Sequence, residues 1–228
     1  MPAPVIARID AVKLRENAYF ALRDAFTRGA SAPGDKLSLR QLADQLGTSM
    51  TPVREAVRRL VAEGALIDTP SRTLEVPGFN PQRAEELMAA RLALEALVLD
   101  RAMDRITAPD IDALEALLPP EADTTRATVP PAPPAPPGLP DLKCNYDFHF
   151  ALYRHSGSQV LLPLIEALWL QYGAILNLII RRPMAAQIAE HSHHHEILAA
   201  LRAGDRAAAH AALRADVTRS FRFLFPEG

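Results

Sequence analysis

The chain of 228 residues has one cysteine, Cys144, so it can form no internal disulfide and no metal site built on clustered thiolates, and a reducing compartment suits it. Glycine is also scarce, at 10 residues; with long segments rich in Ala, Leu, Arg and Glu, helix should dominate. Charge of one sign is not in excess. The 25 basic and 27 acidic side chains leave a formal net charge of -2, which excludes a polycation that would coat nucleic acid indiscriminately and requires any such binding to come from a local patch. An unbroken apolar run is missing too. The most apolar stretch, Val160 to Ile180, is interrupted by Pro163, Glu166, Gln171, Gly173 and Asn177, and it reads as a buried bundle helix instead of a membrane span. The opening MPAPVIARID lacks the basic start and apolar run of a secretory signal, so a cytoplasmic protein is expected. What is present is the ordinary balance of a globular protein, 49% hydrophobic and 23% charged, with length enough for two small domains.

A first helix is expected over about Asp10 to Arg28, with Leu14, Ala18, Ala21, Leu22 and Ala25 as its apolar stripe. Pro33-Gly34 turns the chain. Ser38-Leu-Arg-Gln41 fits a capping box for a short helix to about Leu46. Gly47 ends it, and Ser49 or Thr51 caps a third helix with Pro52 in its first turn and Val53, Ala56, Val57 and Leu60 on its inner face. Gly64 closes that helix, and Leu66-Ile-Asp68 and Leu74-Glu-Val76 then flank a turn as a two-stranded hairpin. Pro77-Gly78-Phe79-Asn80-Pro81 marks a domain boundary, with Asn80 capping a new helix. Further helices are expected near 81–104, 108–118, 141–156, 158–181, 184–203 and 205–225. Between Pro119 and Pro140 stand nine of the 20 prolines, a composition that favours an extended spacer loop inside the second domain over a ligand for an SH3-like partner.

Three helices and a hairpin, with a tight glycine turn before the third helix, describe a winged helix-turn-helix. From Lys36 to Leu60 there are five basic residues (Lys36, Arg40, Arg54, Arg58, Arg59) and two acidic ones (Asp44, Glu55), a local net charge of +3 in an acidic chain. The bland alternative is a solvated helix face. The string Thr51-Pro-Val-Arg-Glu-Ala56, continuing through Arg58-Arg-Leu60 and Glu63-Gly64 and preceded by Leu39-Arg-Gln-Leu-Ala43, closely resembles the DNA-binding domain of GntR-family bacterial transcription regulators. The resemblance implies that Arg40, Ser49, Thr51, Arg54 and Arg58 contact operator DNA. Arg54 is the best candidate for a base contact, because a bidentate arginine reads guanine while hydroxyls mainly fix phosphates. Two departures stand out: Met50 replaces an arginine of some relatives, and the wing carries Ser71-Arg72-Thr73 where an Arg-Gly tip is common. Arg72 could still reach a phosphate.

Residues 80–225, with Met88-Ala-Ala-Arg91-Leu-Ala-Leu-Glu95, Asn145-Tyr-Asp-Phe-His149, His194-His-Glu-Ile197 and Gly204-Asp205, resemble the FCD ligand-binding domain of the FadR-type subfamily. Helical spacing bears on this second region by itself. Asn145 and His149, four apart, share a face with Leu142 and Leu152, His194 sits with Ile197, Leu198 and Leu201, and Asp216 lies three residues from Leu213. Two imidazoles and a carboxylate turned inward, with an amide oxygen nearby, suit a divalent metal such as Zn, Ni or Mn. The family pattern is Asp, His, His, His, so Asn145 and Asp216 each depart from it. Hydrogen-bonded core histidines without metal are the alternative, and His191 with His195 is a competing surface pair. His193 reads as solvated. In the family the bundle holds a small organic acid; Arg91 is the candidate to meet its carboxylate, unless it simply pairs with Glu95 one turn on. Arg181 and Arg182 could add anion contacts, or simply complement a helix C-terminus.

The expectation is therefore a mainly α protein. Residues 1–78 would form the winged helix-turn-helix and 79–228 an antiparallel helical bundle for effector binding and dimerisation. It would act as a homodimeric repressor, binding operator DNA under the control of a small carboxylate effector, with no membrane association. Two alternatives stand beside it: a metal-dependent enzyme using His149, His194 and Asp216, and a regulator for which the metal ion is itself the signal.

Overall fold

In the computed structural model, which describes residues 11–69, 73–119, 142–180, 191–222 and 224, helix α1 (Ala11–Thr27) leads through the Pro33-Gly34 turn into strand β1 (Lys36–Leu37) and helices α2 (Leu39–Gln45) and α3 (Met50–Ala62). The Ser38 hydroxyl accepts the Gln41 N–H at 3.1 Å and starts α2. Gly47 takes φ +61° in the turn between α2 and α3, a backbone conformation that costs other residues strain. The α3 stripe falls where its spacing predicts: Val53, Ala56, Val57 and Leu60 are buried, each larger side chain worth roughly 1.5–3 kcal/mol when removed from water. On α1 the stripe is rotated. Ala18, Tyr19, Leu22 and Phe26 are buried while Leu14 and Ala21 are exposed, because the two aromatic rings carry more apolar area than the alanines and turn that face inward.

Strands β2 (Ile67–Asp68) and β3 (Leu74–Glu75) pair as the expected antiparallel hairpin. The sheet has a third member that the sequence reading omitted. β1 pairs antiparallel with the other edge of β3, Lys36 opposite Glu75 and Leu37 opposite Leu74, for an order β1-β3-β2. Two residues between a Pro-Gly turn and a helix cap are too few to show alternation. The wing tip, with Arg72, lies outside the described residues.

Helices α4 (Pro81–Met103), α5 (Ala108–Glu115), α6 (Leu142–Arg154), α7 (Leu161–Ile180), α8 (Ser192–Ala203) and α9 (Arg206–Arg222) form the C-terminal helical domain. The Asn80 Oδ1 accepts the Arg83 N–H at 3.1 Å and Pro81 occupies the first turn. α9 packs on α8 and α4, and α7 packs on α4 and on α1. Phe148, Tyr153, Ile165, Trp169, Ile197 and Phe221 are among the fully enclosed side chains of this core. α5 stops at Glu115, shorter than expected. Residues 120–140 of the proline-rich segment, and Arg181 and Arg182, lie outside the described residues.

α7 serves two cores at once. It is long and apolar enough to cross a membrane, yet Ile165, Trp169, Tyr172 and Ile179 are buried in the C-terminal cluster, and Leu170 is buried in the N-terminal one. Its polar interruptions tie the two together: the Asn177 amide donates to the Gly29 carbonyl at 2.5 Å, and Gln171 donates to the Glu63 carbonyl at 3.0 Å while accepting from Arg83 at 2.8 Å. Arg23 of α1 reaches Glu166 at 3.0 Å and the Tyr146 hydroxyl at 3.2 Å.

Candidate DNA-binding surface and buried polar site

On α3 the side chains of Ser49, Thr51, Arg54 and Arg58 are exposed, as is Arg40 on α2. Ser49 holds the cap position but makes no side-chain cap hydrogen bond, which leaves its hydroxyl available at the surface. Spacings of three and four place Thr51, Arg54 and Arg58 on one side of the helix. Arg58 pairs with Glu55 at 2.8 Å on the surface, a contact worth at most about 1 kcal/mol and readily exchanged for another anion. Arg59, counted in the basic patch, points elsewhere: its guanidinium lies 3.5 Å over the Tyr19 ring, and the Tyr19 hydroxyl donates to Glu63 at 2.7 Å. The usable patch is therefore narrower than the charge count suggested.

The second site lies inside the helical domain. His149 from α6, His194 from α8 and Asp216 from α9 are all buried, and one ligand atom from each falls within 4.8 Å of the others. His149 Nε2 is 2.9 Å from Asp216 Oδ2 and 3.2 Å from His194 Nε2, and His194 Nε2 is 3.6 Å from Asp216 Oδ1. The spacing that pointed these three residues inward is met in full. Phe148 stacks on the His194 ring, centroids 4.5 Å apart, and Trp169 lies against His149, so aromatic rings flank both imidazoles.

Burial acts to raise the Asp216 carboxyl, but the hydrogen bonds and charge of His149 and His194 overcome it and hold Asp216 well below the usual carboxylate range. At His194 burial wins instead. Loss of hydration pushes it down to about 4 although the Asp216 carboxylate opposes the shift, so near neutrality it is an uncharged imidazole with a lone pair to offer.

Asn145 lies one turn before His149 on α6 and is half-buried. Its neutral amide oxygen is a weaker donor to a cation than an aspartate would be. His191 Nδ1 stands 3.0 Å from His194 Nδ1, which draws His191 toward the buried set. His193, read as solvated, pairs with Glu196 at 2.8 Å.

Arg91 is 2% exposed, and its Nε donates to Glu95 at 2.7 Å. The pairing with Glu95 anticipated from the four-residue spacing is thus present, but enclosed in the core and not on the surface. The guanidinium carbon lies 4.3 Å from the Trp169 ring centroid and 4.6 Å from that of Tyr172. Glu95 also accepts the Trp169 indole N–H at 3.0 Å and the Tyr153 hydroxyl at 2.5 Å. Tyr153 in turn meets His149 Nδ1 at 3.0 Å. Tyr153 and Trp169 went unnoticed in the sequence. Tyr153 stands four residues after His149, so the spacing was available, but a tyrosine on an apolar helix face reads as core.

Donor atoms about 2.0–2.2 Å from one ion stand about 2.8–3.6 Å from each other in octahedral or tetrahedral arrangements, and the separations of 2.9, 3.2 and 3.6 Å, which involve both Asp216 oxygens, fall within that range. Two imidazole nitrogens and a carboxylate are also the donor chemistry of zinc, nickel and manganese sites. The residues fit a small divalent cation.

Comparison with known proteins follows the same division of the chain. Residues 14–76 match the family described as bacterial regulatory proteins, gntR family, and residues 86–219 match the FCD domain. The chain is 32% identical over 186 residues to the HTH-type transcriptional regulator McbR of Escherichia coli (strain K12), a match spanning 81% of this chain and 80% of that protein. The solved structure of E. coli McbR/YncC superposes with a TM-score of 0.79 at 28% identity, covering 93% of this chain and 97% of the other. A putative transcriptional regulator GntR from Rhodococcus sp. RHA1 shares the fold, with a TM-score of 0.62 at 20% identity and coverage of 95% and 100%. These relatives are transcription regulators and not enzymes.

Proposed function

Since the chain belongs to the GntR family of bacterial regulatory proteins and carries an FCD domain, we propose that it is a cytoplasmic, homodimeric repressor whose operator affinity is set by a divalent ion and a small carboxylic acid held in the helical domain. Residues 1–78 would be the DNA-binding part and 79–228 the sensing and dimerising part. The observation that carries the regulatory half is the buried convergence of His149, His194 and Asp216, a donor set that suits a divalent cation.

On DNA, Arg54 reads a base edge in the major groove, while Arg40, Ser49, Thr51 and Arg58 fix the phosphates, with Arg72 as a further phosphate contact. Two heads related by molecular symmetry would meet two half-sites and double the phosphate contacts of one. In the bundle, His149, His194 and Asp216 would hold the ion, with Asn145 as a fourth, weaker oxygen. A bound ion would offer a positive centre to the effector's carboxylate. Arg91 remains the candidate for the effector's carboxylate, although its Nε is committed to Glu95 and its guanidinium is packed on two rings, an ion pair with no net charge to attract an anion from a distance.

Occupancy of the bundle has a physical route to DNA. Trp169 touches His149 on one side of α7, and the next residue, Leu170, is buried among the α1 and α3 side chains. An effector regulates only by binding the DNA-competent and incompetent states unequally. A second reading, in which the ion alone is the signal, is supported by the fact that the three protein ligands are already assembled in one place.

The test is selection of an operator from random or genomic DNA followed by footprinting. A protected, symmetric site of two half-sites supports this reading, and binding that shows no sequence preference contradicts it. Native mass spectrometry of the same preparation would report two chains per complex if the dimer is correct.

A further inference from the structure

We infer that Glu95 and Tyr153 are positioning residues that hold the His149 ring with its proton on Nδ1 and its Nε2 lone pair turned toward Asp216 and His194, an inference that deepens the metal reading above and rests on it. Hydrogens along this run of atoms can be counted. Glu95 Oε1 takes hydrogen bonds from Arg91 Nε at 2.7 Å and Trp169 Nε1 at 3.0 Å, and neither a guanidinium nor an indole N–H can act as an acceptor. As the counter-ion of an enclosed guanidinium, Glu95 is a carboxylate, so its Oε2 can only accept.

The Tyr153 oxygen lies 2.5 Å from that Oε2, and its single hydrogen belongs there. The opposite arrangement would set two lone pairs against each other at that distance with nothing between them. Having given its hydrogen to Glu95, the Tyr153 oxygen can only accept from the group on its other side, His149 Nδ1 at 3.0 Å. Nδ1 is therefore the N–H of the ring. In a neutral imidazole the other nitrogen is then a bare lone pair, and His149 Nε2 stands 2.9 Å from Asp216 Oδ2 and 3.2 Å from His194 Nε2. A bare nitrogen and a carboxylate at that distance, with the ring 0% exposed, need a cation between them: a second ring proton in the metal-free protein, which makes the His149–Asp216 ion pair, or a divalent ion when one is bound.

Metal-bound histidines generally donate their second N–H to a carboxylate or carbonyl that fixes the ring. Here the carboxylate acts one step removed, through the tyrosine oxygen, and is itself anchored by Arg91 and Trp169. This gives the Arg91–Glu95 pair a role apart from effector capture: it keeps Glu95 charged and in place, and so sets which nitrogen of His149 faces the ion.

The experiment uses the full chain labelled with ¹⁵N-histidine, metal-free and then loaded with Zn²⁺, with His149 assigned by its loss in His149→Gln. Ring nitrogen shifts separate a protonated from an unprotonated Nδ1. The expected result is a protonated Nδ1 in both states and an Nε2 that shifts on adding zinc, with Tyr153→Phe losing the hydrogen-bonded Nδ1 signature and binding zinc about 10–100-fold more weakly. An unprotonated Nδ1 in the wild-type protein overturns the inference whatever the variant does. So does a Tyr153→Phe protein with unchanged zinc affinity and an unchanged His149 spectrum. If the wild-type protein shows the protonated Nδ1 but takes up no zinc, the positioning role stands and the metal reading fails.

Discussion

Gly173 of α7 lies so close to the Phe26 carbonyl of α1 that a Cβ on Gly173 would stand 1.9 Å from that oxygen. Only hydrogen fits at this position, and the contact joins the DNA-binding helices to the helix that also walls the buried site. Gly173→Ala must push α1 off α7. Because the obstacle is backbone and cannot rotate away, we expect a loss of about 1–3 kcal/mol, as for overpacked cores. Thermal melts would show it, together with faster proteolysis between residues 77 and 80. An alanine variant as stable and as resistant as the parent would mean that the two parts do not dock this way.

Arg54 is exposed on α3. Arg54→Ala should weaken operator binding by about 1–3 kcal/mol and flatten the sequence preference at one position of each half-site. Arg58→Ala should weaken operator and scrambled DNA alike. Salt titrations on both DNAs separate the two behaviours, and an equal loss on both DNAs for Arg54→Ala would remove it from the base-reading role.

The enclosed Arg91–Glu95 pair makes a stability prediction. Removing one partner leaves a charge unpaired in the core, which typically costs about 3–5 kcal/mol. Arg91→Met should therefore destabilise strongly, and the double change Arg91→Met with Glu95→Gln should recover a large part of the loss, since no bare charge is left. Denaturant unfolding of the parent protein and the two variants tests this. A mild effect of Arg91→Met alone would show that Glu95 does not depend on it.

Stability of the metal-free protein should fall with acid in a definite window. His194 drops from an ordinary 6.5 to about 4 on burial, so the unfolded chain takes up the proton first. Its stabilising contribution is complete above about pH 6.5 and is lost progressively down to about pH 4. The full shift corresponds to about 3 kcal/mol at 1.36 kcal/mol per unit. Asp216, held low, acts in the same direction at still lower pH. Melts at pH 7.5, 5.5 and 4.5 should show a falling midpoint, with a weaker slope in His194→Gln. A wild-type midpoint that stays level across this range would contradict the assignment.

Much of this was legible in the sequence, and the limits have physical causes. Periodicity located the helices, and the apolar stripe of α3 came out as spacing predicts, because one helix face buries itself regardless of its partner. β1 was missed because two residues carry no pattern. Arg59 was miscounted because a charge tally does not say that Tyr19, 40 positions earlier on another helix, will hold it under a ring. The same distinction governs the buried site. Spacing turned His149, His194 and Asp216 inward, but no pattern within one helix could announce that Tyr153 would find Glu95, 58 residues away, or Trp169 the same carboxylate across 74. Those contacts depend on which faces meet when α4, α6 and α7 pack.

What occupies the bundle sets the affinity for DNA in this proposal. The most direct measurement is operator binding by metal-stripped protein titrated with Zn²⁺, Ni²⁺ or Mn²⁺, alone and with a panel of small carboxylic acids, alongside Asp216→Ala. Operator affinity should change by roughly 5–150-fold with metal, acid or both, and not in the variant, which should still bind the operator. Affinities that stay the same under every addition, with the wild-type protein folded and dimeric, would contradict it.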